Sequence, residues 1–145
     1  MKAGPRDPSL ATGSSIATDK KRAWESFEAR ETHLESMPFR ASIEITRNCN
    51  YRCTMCPQSW MPEYARYRPE YNMTPELFER VARELFPHLE YAHLQGFGES
   101  VISPHWPRIL DACEAFAGKP ALGLVTNIGR KDDDMWRRLV RMGVS

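Results

Sequence analysis

The sequence predicts an α/β fold built on a parallel sheet. Short apolar runs alternate three times with segments that carry apolar residues at helical spacing. The connections between the runs are long enough to hold a helix, as parallel strands require. Clusters of cysteine, glycine or asparagine follow the runs, and α/β folds place their sites at the carboxyl ends of strands. We therefore expect the functional loops to gather along one edge of the sheet.

Three strands are predicted, at residues 41–46, 91–95 and 121–126. Each run is short and apolar and is followed by turn-forming or polar residues, which is typical of a buried strand. Val144 and Ser145 are expected to begin a fourth strand.

Capping residues mark the helices between the strands. The pair Thr74-Pro75 predicts a helix start, because threonine accepts a hydrogen bond from the first turn and proline fits its first position. A second helix is expected to begin at Pro104 or Pro107. A third is expected to begin at Asp132, with Gly143 as its stop. The side chains of this third helix that are expected to face the core are Met135, Trp136, Leu139 and Val140.

The chain divides in two by composition. Residues 1–18 are rich in glycine, proline, serine, alanine and threonine, which predicts a disordered tail. Asp19 is then placed to cap a helix over residues 20–34, which ends before Pro38. We therefore assign residues 1–36 to a tail and helix, and residues 37–145 to a folded domain.

Composition excludes several classes of function. The formal net charge is +1, which gives no global attraction to nucleic acid or to an anionic membrane surface. No apolar run approaches the ~20 residues that a membrane span requires. Three of the four cysteines are clustered, unlike the framework of a secreted disulfide protein. A cytoplasmic protein with no membrane partner and no nucleic-acid partner is expected.

The cysteine cluster is the strongest chemical signal. Cys49, Cys53 and Cys56 have C-x3-C-x2-C spacing directly after the first predicted strand. Thiolates are soft ligands that select zinc, copper(I) or iron–sulfur clusters. A structural zinc site usually takes four ligands in two pairs, whereas three thiolates on a [4Fe–4S] cube leave one iron open. Arg47 and Arg52 flank the thiolates, and cations there are expected to favour a reduced cluster.

At these residues the sequence resembles the radical S-adenosylmethionine (radical SAM) superfamily. Residues 49–53 (CNYRC) and 55–57 (MCP) resemble the branch whose enzymes often carry a C-terminal SPASM domain. The resemblance implies a [4Fe–4S] cluster on the three cysteines, with S-adenosylmethionine on the open iron. It also implies cleavage of that cofactor to methionine and a 5′-deoxyadenosyl radical, which abstracts hydrogen from a substrate. Met55 stands where many members have an aromatic residue, and we expect it to pack beside the adenine.

A second motif follows the second predicted strand. Gly96-Phe97-Gly98-Glu99 is not a dinucleotide fingerprint, because Val101 stands where the third glycine would be. It resembles the Gly-Gly-Glu-Pro element of the superfamily, with Ser100 in place of the proline. The resemblance implies that Gly96, Gly98 and Glu99 bind the amino group of S-adenosylmethionine through backbone and carboxylate. The alternative is that Glu99 only favours the start of a helix.

A third motif follows the third predicted strand. Residues 126–129 (TNIG) resemble the Thr-Asn-Gly element of this branch, which implies a cofactor-facing hydrogen bond from Asn127. A turn in which asparagine and glycine supply left-handed backbone explains the same residues. Cys113 lies at an inward helical position, so we expect a core residue and not a ligand. Residues 57–72 are interpreted as a surface loop or, alternatively, as a lid beside the cluster.

The resemblance extends over residues 41–145 and implies the first three βα units of a partial (β/α)6 barrel, truncated at the fourth strand. Such a piece would leave the third strand as an unpaired edge, so we expect a fragment that is inactive by itself. The family implies a peptide, sugar or cofactor-precursor substrate and an electron donor such as flavodoxin or ferredoxin. An electron-transfer or structural metal module without S-adenosylmethionine chemistry is the alternative.

Overall fold

The computed structural model describes residues 15–61, 71–116 and 120–145. Three parallel strands form one sheet in the order β1-β2-β3: β1 (Arg40–Ser42), β2 (Tyr91–His93) and β3 (Ala121–Gly123). Ala92 at the centre pairs with Ala41 on one side and with Leu122 on the other. The prediction of an α/β fold with a parallel sheet is confirmed.

Helices separate the strands as the alternating pattern predicted. The α-helices in chain order are α1 (Ile16–Glu28), α2 (Pro57–Trp60), α3 (Pro75–Leu85), α4 (Trp106–Ala115) and α5 (Asp133–Arg141). Short 3-10 helices cover Phe86–His88 and Ser100–Ile102. No helix in the described ranges is both long and apolar enough to cross a membrane.

The strands are shorter than the apolar runs that predicted them. β1 ends at Ser42, although the Ile43 amide still donates to the His93 carbonyl at 2.8 Å. Beyond that point the chain leaves the sheet, and Thr46 forms an isolated bridge with Asn72. The run is apolar because Ile43 and Ile45 are buried against the helices, so burial continues where strand pairing stops.

The predicted caps are confirmed between the strands. The Thr74 hydroxyl accepts from the Leu77 amide at 3.3 Å, and an Asp132 carboxylate oxygen accepts from the Met135 amide at 3.1 Å. Pro107, and not Pro104, lies in the first turn of α4. Gly143 follows α5 with φ +69°, which is the left-handed conformation that ends helices.

The prediction for the first helix is wrong at both ends. Ser15 caps α1, because its hydroxyl accepts from the Thr18 amide at 3.3 Å, and Asp19 lies buried inside the helix. The helix ends at Glu28, and Arg30 takes a left-handed φ of 57° just beyond it. The apolar residues of the predicted segment, Ala23, Trp24, Phe27 and Leu34, form only a partial stripe, and it marks neither boundary of the helix.

The core lies between the sheet and helices α3, α4 and α5. Its largest buried side chains are Trp106, Phe78, Phe86, Ile45, Leu89, Leu94, Ile109 and Val101. Met135 and Leu139 of α5 face this core as predicted, and Trp136 packs against it. The prediction for Val140 is wrong, because its side chain is 77% exposed on the outer side of the helix.

The described residues do not leave β3 as an open edge. The Ser145 amide donates to the Leu122 carbonyl at 3.1 Å, and the Leu124 amide donates to the Ser145 carbonyl at 2.8 Å. The expectation of an unpaired third strand is therefore wrong at these positions. Of the two residues predicted to begin a fourth strand, Ser145 already bonds to the third, whereas the Val144 amide donates to the Leu139 carbonyl at 3.1 Å.

Candidate functional site

The cysteine loop begins at Cys49, after the six-residue segment 43–48 that follows β1. Cys49 and Cys53 are exposed, Cys56 is partly exposed, and all three are free thiols. Two backbone contacts shape the loop: the Cys56 amide donates to the Cys53 carbonyl at 3.0 Å, and the Tyr51 amide lies 3.5 Å from the Cys49 sulfur. The predicted ligands are thus accessible at the carboxyl end of the sheet, on a tightly turned loop.

The three thiols do not converge on a single point. No group of three or more histidine, cysteine, aspartate or glutamate side chains in the described ranges is arranged to hold one metal ion. A [4Fe–4S] cube does not require the three sulfur atoms to meet at one point, because each thiolate binds a different iron atom. The assignment of the three cysteines as cluster ligands therefore stays a prediction.

Glu99 is buried at the end of the loop that follows β2. Its side chain is 3% exposed, and Oε2 accepts from the Asn127 amide at 2.7 Å. Oε1 is buried and has no hydrogen-bond partner among the described residues. A buried carboxylate oxygen without a donor is costly, so this atom is poised to accept from a bound group. Glu99 stands at the start of the 3-10 helix Ser100–Ile102, as the alternative interpretation requires, but its carboxylate makes no capping hydrogen bond to that helix.

Asn127 connects Glu99 to the cysteine loop. Its side-chain amide nitrogen donates to Asn50 Oδ1 at 3.0 Å and lies 3.9 Å from the Cys49 sulfur. Its side-chain oxygen accepts from the Gly129 amide at 2.7 Å. The structure thus brings together residues that follow three different strands.

The alternative interpretation of the TNIG turn was that its asparagine and glycine supply left-handed backbone, and the structure differs from it. Neither Asn127 nor Gly129 has positive φ, and the left-handed residue is Ile128 at φ 55°. A β-branched side chain is strained in that conformation, so its surroundings must hold it there. The left-handed asparagine or glycine that the alternative required is absent from this turn.

The glycines of the second motif allow close packing inside the protein. A Cβ on Gly98 would clash with the Thr46 carbonyl oxygen, and one on Gly96 would clash with the Glu44 side chain. The Glu99 amide donates to the Asn48 carbonyl at 2.8 Å. The missing side chains therefore let the loop after β2 pack against the segment that leads to Cys49. Direct contacts of Gly96 and Gly98 with a cofactor stay a prediction.

Sequence reasoning missed several residues that build the site. They are Glu44, Thr46, Asn48 and Asn50. The Thr46 side chain is buried, and its hydroxyl accepts from the Asn48 amide at 3.1 Å and lies 2.8 Å from Asn72 Oδ1. The available signal was the polar residues at alternate positions of the first apolar run (Ser42, Glu44 and Thr46), shortly before the first cysteine.

Exposed apolar side chains surround the same edge of the sheet. They are Tyr51, Met55, Phe97, Val125 and Ile128, of which Met55 is the most open at 86% exposure. Met55 is free to pack against a bound ring, and its place beside an adenine stays a prediction. Arg52 is exposed, whereas Arg47 pairs with Glu44 at 3.1 Å, so its charge is partly neutralised. The loop or lid predicted at residues 57–72 lies partly outside the described residues, since 62–70 are not among them.

Cys113 belongs to the core, as predicted. It is 1% exposed on the inner face of α4. Burial raises the pKa of its thiol to about 12, so the neutral form dominates at neutral pH.

Comparison with known proteins agrees with this architecture. Residues 43–145 match the Radical SAM superfamily. A *Pyrococcus furiosus* protein described as the tungsten-containing aldehyde ferredoxin oxidoreductase cofactor-modifying protein is 34% identical over 106 residues. That match covers 70% of this chain and 27% of the relative, so the chain spans about a quarter of the relative's length.

Two solved structures share the fold. BtrN, crystallised in complex with AdoMet and 2-DOIA, aligns with a TM-score of 0.62 at 15% identity, over 75% of this chain and 44% of BtrN. *Streptococcus suis* SuiB, bound to S-adenosylmethionine, aligns with a TM-score of 0.61 at 18% identity, over 84% of this chain and 26% of SuiB. At these identities the likeness shows the fold alone.

The fold and the strand-end site define a domain of an α/β enzyme superfamily. Because the family match covers most of its length, this chain belongs to the Radical SAM superfamily. That superfamily uses a [4Fe–4S] cluster and S-adenosylmethionine. The residues of the site fit both groups, since three free thiols stand on one loop and a buried carboxylate oxygen nearby lacks a donor.

Proposed function

We propose that this chain binds a [4Fe–4S] cluster through Cys49, Cys53 and Cys56, and binds S-adenosylmethionine beside it as part of a radical SAM enzyme. When bound, the reduced cluster supplies the electron that cleaves S-adenosylmethionine to methionine and a 5′-deoxyadenosyl radical, which removes a hydrogen atom from the substrate. The chain's own residues hold, orient and shield the two groups.

One observation supports this proposal above the others: Glu99 is buried, with one carboxylate oxygen bonded and the other without a partner in the part of the chain that the structure describes. An ammonium group is the donor that such an oxygen binds best, because the bond is charge-assisted. S-adenosylmethionine carries an ammonium. A module that only transfers electrons has no need of a buried acceptor in the loop that follows a second strand.

Each remaining residue has a definite part in the proposal. Asn127 fixes the Glu99 carboxylate through its backbone amide and reaches the cysteine loop through its side chain. The loop of Gly96 and Gly98 packs onto the segment before Cys49 and so carries Glu99 toward the thiols. Met55, exposed within the cysteine loop, is proposed to cover the adenine.

The finer assignments belong to the proposal as well. We propose a partial (β/α)6 barrel, because strand and helix alternate three times and Ser145, after α5, already bonds to Leu122 of β3. Residues 49–53 and 55–57 support placement in the SPASM-type branch. The *Pyrococcus furiosus* relative is described as cofactor-modifying, so a cofactor precursor is the first substrate class to test, before peptides and sugars. A flavodoxin or ferredoxin is the proposed electron donor.

The test measures the electron paramagnetic resonance spectrum of the reconstituted, reduced holoprotein. We expect S-adenosylmethionine to change the spectrum of the wild-type protein. Glu99→Gln is expected to weaken that effect, because the ammonium loses its charged partner. Glu84→Gln makes the same chemical change at an exposed position of α3 and should leave the effect intact.

One outcome would contradict the proposal. An identical wild-type spectrum with and without saturating S-adenosylmethionine would mean that the cluster has no cofactor on its open iron. The electron-transfer or structural metal module would then be the better explanation.

A further inference from the structure

Glu44 lies between the first strand and the cysteine loop, and its carboxylate contacts two segments. Oε1 accepts from the Phe97 amide at 2.9 Å, and Oε2 pairs with Arg47 Nε at 3.1 Å. The side chain is 25% exposed, so water competes only partly for these bonds. A single side chain therefore joins the loop after β2 to the segment that leads to Cys49.

The loop from Gly96 to Glu99 is fixed at both ends by that segment. Glu44 holds the Phe97 amide, and the Asn48 carbonyl accepts from the Glu99 amide at 2.8 Å. Gly96 packs so closely on Glu44 that an added Cβ would lie 2.5 Å from Oε1. Besides the link through Asn127, one backbone contact and one side-chain contact thus hold Glu99 in place relative to the cysteine loop.

We infer that Glu44 is a positioning residue, which sets the distance between the Glu99 carboxylate and the cluster bound by the cysteine loop. The inference rests on the proposed function. Glu44 does not itself need to touch either group, because it acts through Phe97 and the backbone that leads to Glu99. We expect the contact to depend on reach more than on charge, since an amide oxygen at the same place can still accept from the Phe97 amide, although more weakly than a carboxylate.

Two conservative variants separate reach from charge. Glu44→Gln keeps the length of the side chain and the acceptor oxygen but removes the charge. Glu44→Asp keeps the charge but withdraws the carboxylate by one methylene from the Phe97 amide. We expect Glu44→Asp to raise the Kd for S-adenosylmethionine about tenfold, and Glu44→Gln to stay within about threefold of wild type.

The Kd is measured by titrating S-adenosylmethionine into the reduced holoprotein and following the paramagnetic resonance spectrum. Iron content and the thermal unfolding midpoint are measured on the same samples. For a positioning role, both are expected to match wild type in both variants while the Kd changes only for Glu44→Asp. Glu84→Asp and Glu84→Gln on α3 are the matched controls and should change none of the three.

The contrary outcomes are distinct. Wild-type affinity in Glu44→Asp, or equal weakening in both variants, would mean that the length of the Glu44 side chain does not set the affinity for S-adenosylmethionine, and would overturn the inference. Loss of iron or folding in parallel with affinity would make Glu44 a structural residue only, and would also overturn the inference. A wild-type spectrum that does not respond to S-adenosylmethionine would refute the proposed function first, and the inference with it.

Discussion

Charged residues and cysteines differ in their surroundings between the helices that cover the sheet (α3, α4 and α5, here the helix layer) and the loops at the carboxyl edge of the sheet. In the helix layer, Arg138 of α5 donates to Glu114 at 2.7 and 2.8 Å and to Asp111 at 2.6 Å, so its charge is matched within the protein. At the strand ends, the buried Glu99 carboxylate keeps one oxygen unpaired. The charge of Arg138 is thus matched by its partners, whereas the Glu99 carboxylate keeps an acceptor oxygen without a partner among the described residues.

Cysteine shows the same contrast. Cys113 in the helix layer is buried, and desolvation raises the pKa of its thiol to about 12. Cys49 and Cys53 are exposed on their loop. The unpaired indole nitrogen of Trp106 is the exception in the helix layer, but it is a neutral donor and costs less to bury than a charged group. Among these described residues, the side chains that are available to bind a ligand therefore lie at the strand ends.

The largest effect is expected on iron content, when any of the three clustered cysteines is replaced. Reconstituted wild-type protein should hold about four irons per chain. Single Cys49→Ala, Cys53→Ala or Cys56→Ala changes should abolish cluster binding, because each removes one ligand from the loop. Iron analysis and the visible absorption spectrum measure the result.

Cys113→Ala is the matched control for that experiment and should retain the full iron content, since its side chain lies in the core. Stoichiometric zinc without iron–sulfur absorption in the wild-type protein would contradict the cluster assignment.

A smaller effect is expected in the helix layer. Arg138→Ala should lower the free energy of unfolding by about 1 kcal/mol, because it removes the clamp between α4 and α5. Arg137→Ala is the control: Arg137 is exposed and its contact with Asp134 is longer, at 3.5 Å. Denaturant unfolding should separate the two variants, whereas equal effects would mean that the clamp contributes no more than a surface ion pair. Neither change should alter cluster content.

The clamp also has a pH dependence of known sign. A hydrogen bond from Arg138 lowers the pKa of Glu114 from its ordinary value of 4.5. A lowered pKa stabilises the folded state above the unfolded value, and that stabilisation is lost as the pH falls through the folded value. The difference in unfolding midpoint between wild type and Arg138→Ala should therefore shrink as the pH is lowered below 4.5.

The smallest effect is expected on the free energy of unfolding, when Ile128 at the strand ends is replaced. Ile128→Gly should raise the free energy of unfolding by about 0.5–1 kcal/mol, because glycine accepts the left-handed backbone without strain. Val125→Gly is the control, since Val125 is similarly exposed but lacks positive φ, and glycine there should destabilise by a similar amount. A loss of stability in Ile128→Gly would mean that the strain is outweighed by contacts of the isoleucine side chain.

Much of the fold was predictable because its signals are local. Thr74 and Asp132 were recognised as caps from a single hydroxyl or carboxylate placed before a helical pattern, and both accept the expected amide. The α1 boundaries were wrong because its apolar stripe is weak, and Val140 was wrong because spacing alone cannot tell the rim of a helix face from its centre. These errors did not change the predicted fold class, because the alternation of strand and helix occurs three times in the sequence.

The sequence by itself determined the class of site: three cysteines at C-x3-C-x2-C, a Gly-x-Gly-Glu loop and an asparagine after the third strand, each at the end of an apolar run. How these groups are joined follows from contacts between segments that lie far apart in the chain. Glu99 meets Asn127, and Glu44 meets Phe97, across 28 and 53 residues of chain, and no local pattern encodes such distances. Parallel pairing brings the strand ends to one edge, and there the missing side chains of Gly96 and Gly98 let the loops pack close enough for these bonds to form.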